Sequence, residues 1–138
     1  MKITSFEPYI LTKDAGAVIS LLSEMGFEKR HQQDNIADQS LTGVMMSHKD
    51  GFKATIVQTN DLPRDSVTGI RVNVGDFEEA YDLLTAKGFK KAPGTDIVNT
   101  GSAKALLMMA PSGFLLELIH HIRKENIDGA AADLRKEL

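Results

Sequence analysis

A chain of 138 residues, 42 % hydrophobic and 25 % charged, can bury a core and fits one domain. Its net charge is −3, with 16 basic residues dispersed among 19 acidic ones, so no cationic stripe for nucleic acid stands out. There is no cysteine, which excludes disulfides and thiolate metal sites. With no apolar leader in MKITSFEPYILTKD and no run of roughly 18 apolar residues to span a bilayer, the expected location is the cytoplasm.

The elements follow in chain order. Ser5–Thr12 alternates as a strand, with Phe6, Pro8 and Ile10 on one face and Glu7, Tyr9 and Leu11 on the other. Asp14 is placed to cap a helix whose apolar stripe reads Val18, Leu21, Leu22 and Met25, and Gly26 is placed to end it. Strands are predicted near Phe27–Gln32, Leu41–Ser47 and Phe52–Thr59, with a Lys49-Asp50-Gly51 turn before the last. Asn60–Ser66 reads as a polar linker. Gly69–Gly75 alternates again, with Gly69, Arg71 and Asn73 on one face. Asp76 and Glu79 form a capping box ahead of a helix with Phe77, Ala80, Tyr81 and Leu84 at helical spacing, closed by Gly88. Strands are predicted near Phe89–Ala92, Asp96–Thr100, Ala103–Met109 and Phe114–Ile122, the last after a Pro111-Ser112-Gly113 turn. Arg123–Leu138 changes character. It is Ala-rich and charged, with Ala131, Leu134 and Leu138 on one stripe, and predicts a C-terminal helical tail.

The two halves repeat each other at one offset. Asp14 recurs as Asp76, Leu21-Leu22 as Leu83-Leu84 and Gly26-Phe27 as Gly88-Phe89. Met46 recurs as Met108, and Gly51-Phe52 as Gly113-Phe114, always 62 residues later and without a gap. The prediction is an α+β fold of two tandem βαβββ modules, about 2–60 and 67–122, within a single domain 1–122 and followed by the tail 123–138.

Two gapless β-α-β-β-β copies, each with D-x₆-LL-x₃-GF, together with the ending Ala110-Pro111-Ser112-Gly113-Phe114-Leu115-Leu116-Glu117-Leu118, resemble the vicinal oxygen chelate superfamily. That superfamily includes glyoxalase I, bleomycin-resistance proteins and extradiol dioxygenases. The resemblance implies curled sheets that pair edge to edge into a cup. It also implies a small-molecule ligand and a homodimer.

Metal-dependent members of the superfamily carry ligands on the first and last strand of each half. Carried over by position, those places are Glu7, Thr55, Gly69 and Glu117. Only Glu7 and Glu117 have ligating side chains, and two carboxylates without an imidazole suit a hard, weakly held ion. The resemblance therefore implies a binding cup of the bleomycin-resistance type with no cofactor. Its alternative is a lyase, isomerase or dioxygenase of the glyoxalase type that holds Mg, Mn, Ni or Zn on Glu7 and Glu117. Whether the chain is an enzyme stays open.

Within the cup, Glu117 is the candidate catalytic acid or base. Its bland counterpart is a family remnant paired with Arg71. Glu7, Tyr9, Arg71, Asn73, Met46, Met108 and His121 are candidate ligand contacts. A buried arginine needs an acceptor, either a ligand anion or one of the two glutamates. Met45-Met46 and Met108-Met109 sit on equivalent strands, one of each pair toward the helices and one toward the cup. His120 and His121 point to opposite faces. His121 stands about 13 Å from Glu117 along a strand, so the two cannot chelate one ion as a helical pair would. His31 and His48 read as solvated strand-end residues.

Overall fold

In the computed structural model, residues 1–36 and 41–121 are described. The predicted tail from 123 onward lies outside them. The first module runs β1 (Ile3–Thr12), α1 (Ala15–Glu24), β2 (Phe27–Ile36), β3 (Leu41–His48) and β4 (Lys53–Gln58). The second runs β5 (Ser66–Val74), α2 (Phe77–Ala86), β6 (Lys90–Lys91), β7 (Val98–Asn99), β8 (Ala103–Met109) and β9 (Leu115–His121). The nine strands form one mixed, curled sheet in the order β2-β3-β4-β1-β5-β9-β8-β6, with β7 paired to β8.

The 62-residue offset holds in three dimensions. Tyr9 pairs with Thr55 across parallel β1 and β4, and Arg71 pairs with Glu117 across parallel β5 and β9. The modules meet through antiparallel β1 and β5, where Glu7 faces Arg71, Pro8 faces Ile70 and Tyr9 faces Gly69. Pro8 and Ile70 are themselves equivalent positions of the two copies, so the pseudo-twofold axis passes through that pair. Residues on either side of it are exchanged. Each candidate metal-ligand position therefore has its counterpart close by across the axis.

Each helix packs on the outer face of its own module. Asp14 and Asp76 cap the helices by accepting from the Ala17 and Glu79 amides at 3.1 Å. Ala15, Val18, Ile19 and Leu22 cover Val44, Met46, Ala54 and Ile56. The same four positions of the second copy, Phe77, Ala80, Tyr81 and Leu84, cover Val72, Leu106, Met108 and Leu118. The stripe read for the first helix is thus out of phase. Leu21 and Met25 are each 58 % exposed, because the i, i+3, i+4, i+7 face begins at Ala15, a small residue that carries little hydropathy signal. The first turn after α1 needs a residue in the left-handed region, and Gly26 at φ 99° supplies it.

The second module departs from the first in one strand. Where β2 runs ten residues, its counterpart is split into β6 and β7, two residues each. Pro93 has no N–H for the ladder, and Gly94 turns at φ 75°, so the chain folds back with Thr95 N–H donating to Ala92 C=O at 3.1 Å.

Candidate functional site

The concave face of the sheet encloses a cavity of about 360 Å3. Its walls are apolar, built by Leu41, Met45 and Val57 from the first module and Val98, Ala105 and Ile119 from the second. The floor is polar: Tyr9, Thr55, Arg71 and Glu117. His31, Gln33, Thr100 and His121 also line it. Strand alternation puts these side chains inside. Thr55 and Val57 share one face of β4, and Glu117, Ile119 and His121 share the equivalent face of β9.

The floor is a chain of contacts that joins both modules. Arg71 Nη1 donates to Thr55 Oγ1 at 3.2 Å, and the Thr55 hydroxyl donates to Glu7 Oε2 at 2.7 Å. On its other side, Arg71 Nε stands 3.0 Å from Glu117 Oε1. That contact is an ion pair by distance, but its angle makes no hydrogen bond. Both atoms are buried without a hydrogen-bond partner. Glu7 is 3 % exposed, and Thr55 shields it. Burial raises the Glu117 carboxyl above the usual carboxylate range despite the opposing pull of the Arg71 charge, with Glu7 pushing the same way as burial. Burial, reinforced by Glu117, also holds the Tyr9 phenol well above its ordinary value.

The four positions that correspond to family metal ligands do not fit a divalent ion. Glu7 already accepts from Thr55, and Glu117 is engaged with Arg71, whose guanidinium bridges the two sides. Gly69 has no room for any side chain. A Cβ there would lie 2.3 Å from the backbone oxygen of Leu115. Among the described residues, no three His, Cys, Asp or Glu side chains come together as a metal-binding group.

The candidate contacts separate. Tyr9, Arg71, Glu117 and His121 line the cavity, and Glu7 and Asn73 line an adjoining recess. Asn73 Nδ2 stands 3.1 Å from His121 Nδ1. Met46 and Met108 are corrected: they are 2 % and 1 % exposed and lie in the helix-covered cores. The cup methionine is Met45. Its counterpart in the second copy is Leu107, not a methionine, so the two Met-Met pairs are not in register. Alternation separated the two members of each pair, but two adjacent methionines carry the same hydropathy, so it did not say which faced inward. His31 lines the cup, and His48 packs between Phe27 and Phe52 with Asp50 3.6 Å away. His120 takes the opposite face, its Nδ1 on the Val74 carbonyl at 2.8 Å. Thr55, carried over above as a cup position with a poor ligand, is part of the floor, and Val57, two residues on along β4, is part of the wall. The signal for them was available, since they stand at the offset from Glu117 and Ile119.

No family model matches the chain, and no curated protein matches it. Solved structures do. The methylmalonyl-CoA epimerase of Mycobacterium tuberculosis is similar with a TM-score of 0.67 at 16 % identity, over 91 % of this chain and 93 % of that one. A glyoxalase/bleomycin resistance protein/dioxygenase superfamily member from Vibrio splendidus gives a TM-score of 0.57 at 18 % identity, over 86 % of this chain and 99 % of that one. A glyoxalase I mutant from Zea mays gives 0.63 at 18 % identity, over 86 % of this chain and 44 % of that one. Likeness at these identities establishes architecture, which does not by itself carry function. This chain has the fold of the vicinal oxygen chelate superfamily, the glyoxalase/bleomycin-resistance group.

Proposed function

We propose that this protein binds a small, partly apolar molecule in the cup between its modules and does so without a tightly bound metal ion. The observation that carries this is the position of Arg71. Its guanidinium links Thr55 and, through it, Glu7 on one side to Glu117 on the other, among the positions where metal-dependent members hold their ion. A fixed guanidinium there offsets one of the two carboxylate charges and stands between them, which weakens the pair as ligands for a divalent ion. The apolar walls give the ligand its affinity, and the polar floor gives it orientation. Tyr9 and Glu117 present hydrogen-bonding oxygens at the floor of the cup for a ligand.

Thermal melts of the purified protein test this. Mn²⁺, Ni²⁺ and Zn²⁺ are expected to leave the melting temperature unchanged. An apolar probe that fits the cup, 2-naphthol, is expected to raise it, because a ligand that binds only the folded state stabilises it. Ala105→Trp, which fills the cup from β8, is expected to abolish the 2-naphthol shift. Stoichiometric metal that disappears in Glu117→Gln would replace this proposal with the metal-dependent lyase or isomerase.

A further inference from the structure

Beside the apolar cup lies a second, more open recess of about 650 Å3, and the two share Met45, Arg71 and His121. The recess lies where the strands that build the cup floor run out. It follows the N-terminal end of β1 and the C-terminal ends of β5 and β9, where Ser5 pairs with Asn73 and Asn73 with Ile119. Two lysines distinguish it from the cup. Lys2, Lys53, Arg71, His120 and His121 line it, and its single carboxylate is Glu7. Glu7 is buried and already accepts the Thr55 hydroxyl.

Lys2 and Lys53 form no ion pair with any described residue, whereas Lys13, Lys91 and Lys104 each do. Lys2 is also positioned. Its stem lies across Gly75, where an added Cβ would stand 3.3 Å from Lys2 Cβ and 3.5 Å from Cδ. The Gly75 amide donates to the Lys2 carbonyl at 3.0 Å. Packing the stem on a bare glycine fixes the root of the side chain and leaves the ammonium toward the recess. Thr4, Ser5 and Asn73 add neutral hydrogen-bonding groups to the same walls.

The geometry points to a two-part ligand: an apolar body in the cup and an oxyanion, carboxylate or phosphate, in the Lys2–Lys53 recess, with Arg71 at the junction. This deepens the cup reading above and rests on it. A concave site lined by unpaired cations concentrates anions and orients their approach. Arg71 lines both the cup and the recess, which puts its side chain at the junction of the two parts.

Four naphthalene probes substituted at the same position separate the possibilities: 2-naphthol, 2-naphthoate, 2-naphthyl phosphate and 2-naphthylmethylamine. The chain has no tryptophan, so probe fluorescence anisotropy reads binding directly on the full-length protein. The two anions are expected to bind about tenfold tighter than the alcohol at low ionic strength and to lose most of that advantage near 1 M salt. The amine is expected to bind weakest. The ratio of phosphate to carboxylate affinity identifies which oxyanion the recess prefers. Lys2→Gln and Lys53→Gln, both at exposed positions, are expected to reduce anion binding and leave 2-naphthol binding unchanged. If 2-naphthol binds as tightly as the anions, or both lysine variants bind anions as the parent does, the two-part ligand is wrong and the cup stands. If no probe binds, the cup proposal fails and this inference fails with it.

Discussion

Arg71 Nε lies 3.0 Å from Glu117 Oε1, and neither atom makes a hydrogen bond. The two residues pair in register across β5 and β9, so their backbones are fixed side by side while their side-chain tips miss the hydrogen-bonding angle. A buried ion pair in this state is held by charge without the added strength of a hydrogen bond. The opposite end of the same guanidinium donates to Thr55, which in turn donates to Glu7.

Removing Arg71 leaves two buried glutamates without a countercharge. Arg71→Ala is expected to destabilise the fold by about 3 kcal/mol, as when one partner of a buried pair is lost. Replacing both partners with apolar residues, Arg71→Met with Glu117→Leu, is expected to recover most of that loss. Urea denaturation of the two variants measures the difference. Equal destabilisation in both would show that the pair itself, not the uncompensated charge, matters.

Stability carries the signature of the raised Glu117 carboxyl. A carboxyl whose folded pKa lies above its unfolded value binds its proton more tightly in the folded state. Its contribution is therefore fully present below the unfolded value near 4.5 and is lost as pH rises through the folded value. Glu117→Gln has no such proton to lose. The melting temperature of the parent relative to Glu117→Gln is expected to fall as pH climbs from the ordinary carboxylate range. A difference that rises with pH would contradict the assigned direction.

Thr55 is the sole hydroxyl between Arg71 and Glu7 in this chain of contacts. Thr55→Val keeps the β-branched shape but leaves the Glu7 carboxylate without its 2.7 Å donor. The expected cost is about 2 kcal/mol, the range for a hydrogen bond to a buried charged group. Chemical denaturation of Thr55→Val beside Thr55→Ser, which keeps the hydroxyl, isolates that bond from packing.

Gly69 is a steric limit on rebuilding a metal centre. Because a Cβ there meets a backbone oxygen rather than a movable side chain, Gly69→Ala is expected to cost about 2–3 kcal/mol through overpacking. Gly69→His is expected to be still less stable and to gain no zinc-dependent shift in melting temperature. A zinc-stabilised Gly69→His would show that β5 and β9 can separate there.

The two neighbouring methionines of β3 are expected to behave oppositely. Met46→Ala opens a cavity in the helix-covered core and should destabilise by about 2–5 kcal/mol. Met45→Ala should cost less stability and should alter 2-naphthol affinity, because Met45 lines the cup. Melts with and without the probe distinguish the two effects.

Much of the architecture is legible in the sequence because it depends on local and periodic signals. The constant offset of 62 residues determines that there are two modules. It survives in the helix limits Ala15–Glu24 and Phe77–Ala86 and in the matching registers of β1 with β4 and β5 with β9. Asp14, Asp76, Gly26 and Gly88 mark the helix ends because caps and left-handed residues are local requirements. Alternation determines that Tyr9, Arg71 and Glu117 share the concave face.

Tertiary structure alone decided what those side chains meet. Alternation gives a face but not a partner, since partners sit on strands far apart in the chain, and their register is set by how the whole sheet pairs. Arg71 could have turned to Glu7 beside it on β1. Instead it forms its ion pair with Glu117 on β9 and reaches Glu7 only through Thr55, 48 residues from that glutamate. The same holds for Met45 over Met46, where two apolar neighbours carry equal hydropathy and only the packing of α1 against one face tells them apart. It holds too for Lys2, which becomes part of a recess only because β1 pairs with β5 and brings it onto Gly75. Periodicity is a property of one segment. A binding site is a property of several segments at once, and its chemistry is settled where they meet.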